Sequence, residues 1–250
     1  MKRLCVIGDS HTAALRQGWQ AIKRELTEIN ITFFSAHRTR FVDLAVCGDR
    51  LVPQSEELSQ LLGRTNSEPV IRADYDRYVL CGLDYSILWA MGSLMSFRSE
   101  DQALDNRAPI SQECYLLAMA GLLRGSINLQ VARKVRAIAD RPITIIPAPC
   151  ISDATELKLY PRLEKTGDAQ KIADYFAAAS DILCREIDAE VLWQPAETLR
   201  DPLRTLAIFG KDAPREFTDA PKPDGWKDHM HMNGEYGALV LRALIATPGL

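Results

Sequence analysis

The chain has 250 residues, of which 47% are hydrophobic and 25% charged, and its formal net charge is -3 at pH 7. These values are ordinary for a globular protein, and the slightly negative charge argues against nucleic acid or an anionic membrane surface as a main partner. No apolar run approaches the ~18 residues of a membrane span. We therefore predict a single domain over residues 1–250, with no nucleic-acid partner and no membrane span. The oligomeric state is left open.

The cysteines are scattered singly, and none forms a C-x-x-C pair: Cys5, Cys47, Cys81, Cys114, Cys150 and Cys184. Such spacing does not suggest a disulfide framework or a zinc site, and predicts buried thiols in a reducing compartment. The apolar run after Lys2 and Arg3 ends at Gly8, which is too short for a signal-peptide core. We therefore expect a cytoplasmic protein without a bound cofactor.

The first predicted strand and helix place a serine at a position suited to chemistry. The apolar run Leu4–Ile7 is typical of a buried parallel strand, and Gly8 permits a tight turn after it. Asp9 or Ser10 then suits the N-cap of a helix whose apolar residues recur over 15–26. Ser10 should therefore lie at the carboxyl edge of a sheet, where open α/β sheets bind ligands and where a helix offers free N–H groups.

The remaining predicted elements alternate between strand and helix. Further strands are predicted at 31–36, 78–81, 143–146 and 191–193, and helices at 53–62, within 110–139, at 168–187 and at 234–245. This alternation predicts an α/β fold: a three-layer α/β/α sandwich around a five-stranded, mainly parallel, doubly wound (flavodoxin-like) sheet. Residues 86–97 suit core packing or an acyl-facing wall. Residues 194–227 are predicted to form a long loop that shapes a substrate site.

Two charged motifs accompany Ser10. Asp228 and His231 have the spacing D-x-x-H just before the last helix, which lets the carboxylate hold the imidazole of the same short segment. A serine nucleophile needs such a base and orienter, although Ser10 could also serve only as a helix cap. The basic loop His37–Arg40 leaves the second strand near the same edge. It is either a solvated face or a reader of an anionic or sugar substrate.

With these motifs, the chain resembles the SGNH (GDSL-type) hydrolase family, whose first block is G-D-S and whose last is D-x-x-H. The resemblance implies that Ser10 is the nucleophile, His231 the general base and Asp228 its orienter. The GDSH form, with His11 after the serine, is also similar to SGNH domains of sugar O-acetylation systems. The implied activity is a serine esterase that cleaves a short acyl ester, such as acetyl, on a small molecule or carbohydrate. An O-acyltransferase acting on a sugar is one alternative.

The family's oxyanion hole is matched only in part. The resemblance implies an N–H donor at Ser10 and a glycine donor after the second strand, for which Gly48 is the candidate; a plain turn is its other interpretation. The family's G-x-N-D block corresponds to the segment from Gly82 to Tyr85, where Asp84 replaces the oxyanion-donating asparagine. An ionised carboxylate has no proton to donate. Asp84 is therefore protonated, or another group replaces it, or the domain binds a glycan or partner without hydrolysis.

The remaining polar residues near the two motifs are candidates for substrate binding: Asp9, His11 and His229. His229 and His231 also form an H-x-H pair that could hold a metal with a neighbouring carboxylate. Metal sites normally show more ligands than this, so we predict no bound metal.

Overall fold

The computed structural model describes residues 1–64, 66, 68–104, 107–156, 159–214 and 228–247. The strands are β1 (Lys2–Gly8), β2 (Ile29–Ser35), β3 (Leu44–Cys47), β4 (Arg50–Pro53), β5 (Ile71–Arg72), β6 (Arg77–Cys81), β7 (Phe97–Ser99), β8 (Ala108–Ile110), β9 (Ile143–Ile146), β10 (Ile151–Ser152), β11 (Ala189–Val191), β12 (Leu199–Asp201) and β13 (Arg204–Thr205). The helices are α1 (Thr12–Ile22), α2 (Glu56–Gly63), α3 (Ile87–Ser93), α4 (Gln112–Arg124), α5 (Ile127–Ile138), α6 (Leu159–Thr166), α7 (Asp168–Ile187) and α8 (Gly234–Ala246).

The centre of the fold is a five-stranded sheet in the order β11-β9-β6-β1-β2, with every neighbouring pair parallel. Helices flank this sheet, so the predicted α/β/α sandwich is confirmed. Counted along the chain, the central strands have the order 2-1-3-4-5, which is the flavodoxin-like order. The order reverses between β1 and β6. The crevice beyond their carboxyl ends is where such sheets bind ligands.

Alternation along β1 sends side chains into two separate cores. Leu4 and Val6 pack on the face covered by α1 and α8, whereas Cys5 and Ile7 pack on the face covered by α4, α5 and α7. All four side chains are fully buried. A strand buried on both faces reads as a continuous apolar run, which is why its position could be predicted from sequence.

Helices α1 and α8 touch through their backbones. A Cβ on Gly18 would lie 2.3 Å from the Ala238 nitrogen, and one on Gly237 would lie 1.8 Å from the Ala14 carbonyl oxygen. Only residues without a side chain permit so close an approach. Helix α1 follows Ser10 and α8 follows the D-x-x-H segment, so this contact brings the two ends of the sequence together.

Three local expectations were wrong. The predicted helix at 53–62 begins later, at Glu56, because Ser55 caps it and Pro53 still pairs with Leu44 in β4. The loop expected from residue 194 onward contains strands β12 and β13 and two short 3-10 turns, since its chain pairs with β10; residues 215–227 of that loop lie outside the described part. Two thiols expected to be buried, Cys47 and Cys114, are exposed.

Other elements agree more closely with the predictions. The helical region expected within 110–139 divides into α4 and α5 at Gly125, and α7 has the predicted bounds. The fifth central strand is β11, which ends at Val191, where the predicted strand begins. Among the described residues, no helix combines the length and apolar character that crossing a membrane would require.

Candidate active site

Three predicted residues form a continuous hydrogen-bonded chain at the carboxyl edge of the sheet. His231 Nε2 lies 2.7 Å from Ser10 Oγ, and His231 Nδ1 lies 2.9 Å from Asp228 Oδ2. An ionised carboxylate only accepts hydrogen bonds, so Nδ1 carries the proton and Nε2 presents a lone pair to the serine hydroxyl. An arrangement of this kind can activate a serine hydroxyl, with the imidazole as the base and the carboxylate as the group that orients it.

The Asp228 carboxylate is held by its own chain. Besides the imidazole, its Oδ1 accepts hydrogen bonds from the backbone N–H groups of Met230 (3.1 Å) and His231 (3.0 Å). Burial disfavours the charged form of Asp228, but these hydrogen bonds and the histidine outweigh that effect and lower its pKa. Asp228 is therefore an anion that fixes the orientation of the imidazole. The next turn is closed by Asn233, whose side chain caps α8.

Ser10 does not cap helix α1, contrary to one of our expectations. The N-cap residue of α1 is His11, whose side chain makes no capping hydrogen bond. The side chain of Ser10 bonds to His231, and Asp9 is occupied elsewhere. In the described part of the chain, the backbone N–H of Ser10 has no acceptor, which leaves it available to a substrate oxygen.

Asp9 joins the ends of β1 and β6. Its Oδ2 accepts the Leu83 N–H at 2.8 Å, and its Oδ1 accepts the His11 N–H at 3.2 Å. The side chain is 8% exposed. Both carboxylate oxygens thus bind backbone groups inside the protein and hold the two strand ends together, and the substrate contact of Asp9 stays a prediction.

The segment after β6 is held in an unusual backbone conformation. Gly82, Leu83 and Asp84 all have left-handed φ values, of 69°, 57° and 65°. Such strain in non-glycine residues persists only where surrounding contacts enforce it, and it clusters at functional sites. Here the fully buried Asn128 donates from its side chain to the Gly82 carbonyl and from its backbone to the Leu83 carbonyl. Sequence reasoning missed Asn128, because a lone asparagine near a helix start carries no distinguishing signal.

Asp84, at the position of the family's asparagine, forms an ion pair with Arg38. The Arg38 guanidinium nitrogen lies 3.1 Å from Asp84 Oδ1. Burial raises the pKa of Asp84 and the nearby Asp9 acts in the same direction, whereas Arg38 and His37 oppose the shift. The carboxylate is therefore close to the Ser10 segment, and its charge is balanced by a residue that follows β2.

The other two predicted substrate-binding residues are histidines that lie beside the hydrogen-bonded chain of Ser10, His231 and Asp228. The ring of His11 stacks on that of His231, and burial lowers the pKa of His11. His229 is half-buried, and its carbonyl accepts a hydrogen bond from the Ser152 N–H. Neither buried Nδ1 atom has a partner in the described part of the chain. Within that part, no three metal-binding side chains gather into a candidate metal site.

Gly48 lies away from the edge where we expected it. It occupies the turn between β3 and β4, which form an antiparallel pair in a separate three-stranded sheet. The residue is exposed, with φ of 61° and no neighbouring heavy atom within 4 Å of its Cβ position. Its left-handed backbone is what a tight hairpin turn requires. The structure thus supports the turn interpretation of Gly48 and gives the oxyanion role no support.

A cavity of about 490 Å³ opens at the carboxyl end of β9, with mostly apolar walls that include Ile146, Phe176, Trp193 and Tyr236. Ile146 pairs with Cys81, which pairs with Gly8, so the cavity begins two strand spacings, about 10 Å, from the end of β1. A short acyl group on Ser10 would not span that distance.

Comparison with models of protein families gives no match to the chain, and comparison with curated proteins gives none either.

Proposed function

We propose that the protein is a serine esterase of the SGNH type, which cleaves a carboxylic ester through an acyl-serine intermediate. The observation that supports this proposal is the hydrogen-bonded chain from Ser10 through His231 to Asp228. Isolated serines are weak nucleophiles, and a base aligned by a carboxylate is the usual means of activating them. Membership of the SGNH family, argued from the G-D-S and D-x-x-H motifs, is part of the same proposal.

In the proposed reaction, Ser10 Oγ attacks the ester carbonyl while His231 Nε2 takes its proton. Asp228 stabilises the imidazolium that results, and the free N–H of Ser10 donates to the oxyanion. His231 then protonates the departing alcohol. Water, deprotonated by the same histidine, attacks the acyl-serine and releases the acid. If a sugar hydroxyl replaces water in the last step, the same residues perform O-acyl transfer.

For the substrate, we propose a short acyl group carried by a larger alcohol such as a carbohydrate. The resemblance to sugar O-acetylation domains motivates this choice. The position of the apolar cavity is compatible with it, since the cavity wall at Ile146 lies about 10 Å from the end of β1, on the side where the larger part of the ester would extend. Trp193, 41% exposed, supplies an aromatic surface in that cavity.

The test is intact-mass analysis after treatment with a fluorophosphonate probe. We expect a single adduct on the wild type and on Ser93→Ala, because Ser93 is exposed and, among the described residues, its hydroxyl bonds to the Trp89 carbonyl alone. We expect none on Ser10→Ala. Equal labelling of all three proteins, or no labelling of folded wild type, would contradict the proposal.

A second candidate function is a binding domain that has lost hydrolysis. The observation in its favour is the Asp84 carboxylate beside the crevice, since losing one oxyanion donor costs about 10²–10³ in rate. Binding of an acylated glycan without turnover, together with an unreactive Ser10, would favour this candidate over the esterase.

A further inference from the structure

The ion pair between Arg38 and Asp84 spans the carboxyl end of β1. Arg38 follows β2 and Asp84 follows β6, and these two strands are the neighbours of β1 on either side. Ser10 is the second residue beyond β1. A contact of 3.1 Å between residues from the two flanking strands therefore links the two sides of the segment that carries the proposed nucleophile.

The charges at this edge make the ion pair significant. Asp9, Asp84 and Asp228 all lie close to the Ser10 segment, and the charge of Asp9 contributes to the raised pKa of Asp84. Attack by Ser10 creates a negative oxyanion, which an uncompensated carboxylate would repel. The Asp84 side chain is 21% exposed, so solvent screens its charge only in part. Arg38 is the cation that lies against the Asp84 carboxylate.

The Arg38 side chain makes few contacts other than the ion pair with Asp84. Its side chain is 55% exposed, and in the described part of the chain its guanidinium makes no other ion pair and no hydrogen bond. A surface ion pair of this kind contributes little to stability. An effect of Arg38 on reactivity is therefore separable from an effect on folding.

We propose that Arg38 is a positioning residue for the reaction at Ser10, and that it acts by cancelling the charge of the Asp84 carboxylate. The ion pair of Arg38 and Asp84 then has no net charge, like the neutral asparagine amide that the SGNH family has at the position of Asp84. This inference rests on the proposed function, because it concerns the oxyanion formed when Ser10 attacks. It implies that Arg38 affects the reactivity of Ser10 only while residue 84 carries a carboxylate.

The experiment compares the rate of fluorophosphonate labelling in the wild type, Arg38→Gln, Asp84→Asn and the double variant. We expect Arg38→Gln to be slower by about tenfold, the scale of one unpaired charge near the reacting atoms. Asp84→Asn should react at least as fast as the wild type. The double variant should react like Asp84→Asn, since no carboxylate then remains to be neutralised. Arg38→Lys should keep most of the wild-type rate.

Arg40→Gln is the matched control, because Arg40 lies in the same 3-10 turn and pairs instead with Glu57 at 2.8 Å. It should label at the wild-type rate, and the thermal midpoint of each variant reports its folding. Equal slowing by Arg38→Gln in both backgrounds, no slowing, or slower labelling of Asp84→Asn would overturn the inference alone. Failure of the folded wild type to label would overturn the proposed function and this inference with it.

Discussion

The imidazole rings of His11 and His231 stack, with centroids 5.2 Å apart and planes inclined by 30°. His231 also bonds to Asp228 through one nitrogen and to Ser10 through the other. The ring is thus held at both nitrogens and on one face. Burial lowers the pKa of His11, so its neutral form packs against His231 and would not repel an imidazolium formed there in the proposed reaction.

Substitutions of His11 can distinguish the effect of its ring packing on His231 from the effect of its polar nitrogens. We expect His11→Phe to keep the labelling rate and the thermal midpoint, because an aromatic ring remains and the change removes a buried Nδ1 that has no partner among the described residues. His11→Ala should label about two- to tenfold more slowly, the equivalent of one ring contact. The thermal midpoint of each variant reports its folding. A large loss in His11→Phe would instead show that the imidazole nitrogens take part in the reaction.

Asp228→Asn tests the orienting role of the carboxylate. The amide can still cap the turn, but it neither enforces the Nδ1–H tautomer nor stabilises the imidazolium. We therefore expect serine labelling and ester turnover to fall by about 10²–10⁴-fold while the fold is kept. Circular dichroism and the thermal midpoint check the fold. Retention of most activity would mean that His231 does not depend on Asp228.

The lowered pKa of Asp228 predicts that the stability of the fold depends on pH. Hydrogen bonds lower the folded-state pKa of Asp228 below its unfolded value near 3.9. The stabilisation is therefore complete above about pH 4 and is lost as the pH falls through the folded-state pKa. We expect the wild type to exceed Asp228→Asn in free energy of unfolding at pH 6, and the difference to shrink on acidification below pH 4. A difference that stays constant with pH would contradict this linkage.

Helix contact at Gly237 predicts a large loss of stability. A Cβ there would lie 1.8 Å from the Ala14 carbonyl oxygen, so Gly237→Ala must push α8 away from α1. We expect a loss of about 2–4 kcal/mol in urea unfolding, and slower labelling of Ser10 as the triad loosens. Gly121→Ala is the control, since Gly121 is an exposed position of α4 where a Cβ meets nothing within 4 Å, and the change should add about 0.5–1 kcal/mol of stability.

The central sheet could be predicted because its strands are buried on both faces. Runs such as Leu4–Ile7 and Ile143–Ile146 are fully apolar or nearly so, and helices with a clear apolar stripe separate them. Leu44–Cys47 is equally apolar, yet it belongs to a hairpin. A signal was present there, since Gly48 and Asp49 form a two-residue turn between paired strands.

The hydrogen-bonded chain of Ser10, His231 and Asp228 could also be predicted, because the G-D-S and D-x-x-H motifs that carry these residues can be recognised in the sequence. The contacts around it could not. Asn128 and Arg38 act on the segment after β6 from 46 residues away in either direction, for Asn128 to Gly82 and for Arg38 to Asp84. Such tertiary pairs leave no periodicity in the sequence. Only the folded chain shows that a buried asparagine supports the strained segment and that an arginine balances its carboxylate.

Ser10 and His231 are 221 positions apart in the sequence, and each lies in the short segment that leads into one of the two helices whose backbones touch. A chain whose sheet has formed but whose α8 has not docked therefore carries an ordinary hydroxyl at Ser10. The proposed reactivity of Ser10 therefore depends on the docking of α8 against α1, which brings His231 to the serine. A chain in which these helices have separated would keep its serine hydroxyl but lose the hydrogen bond to the base.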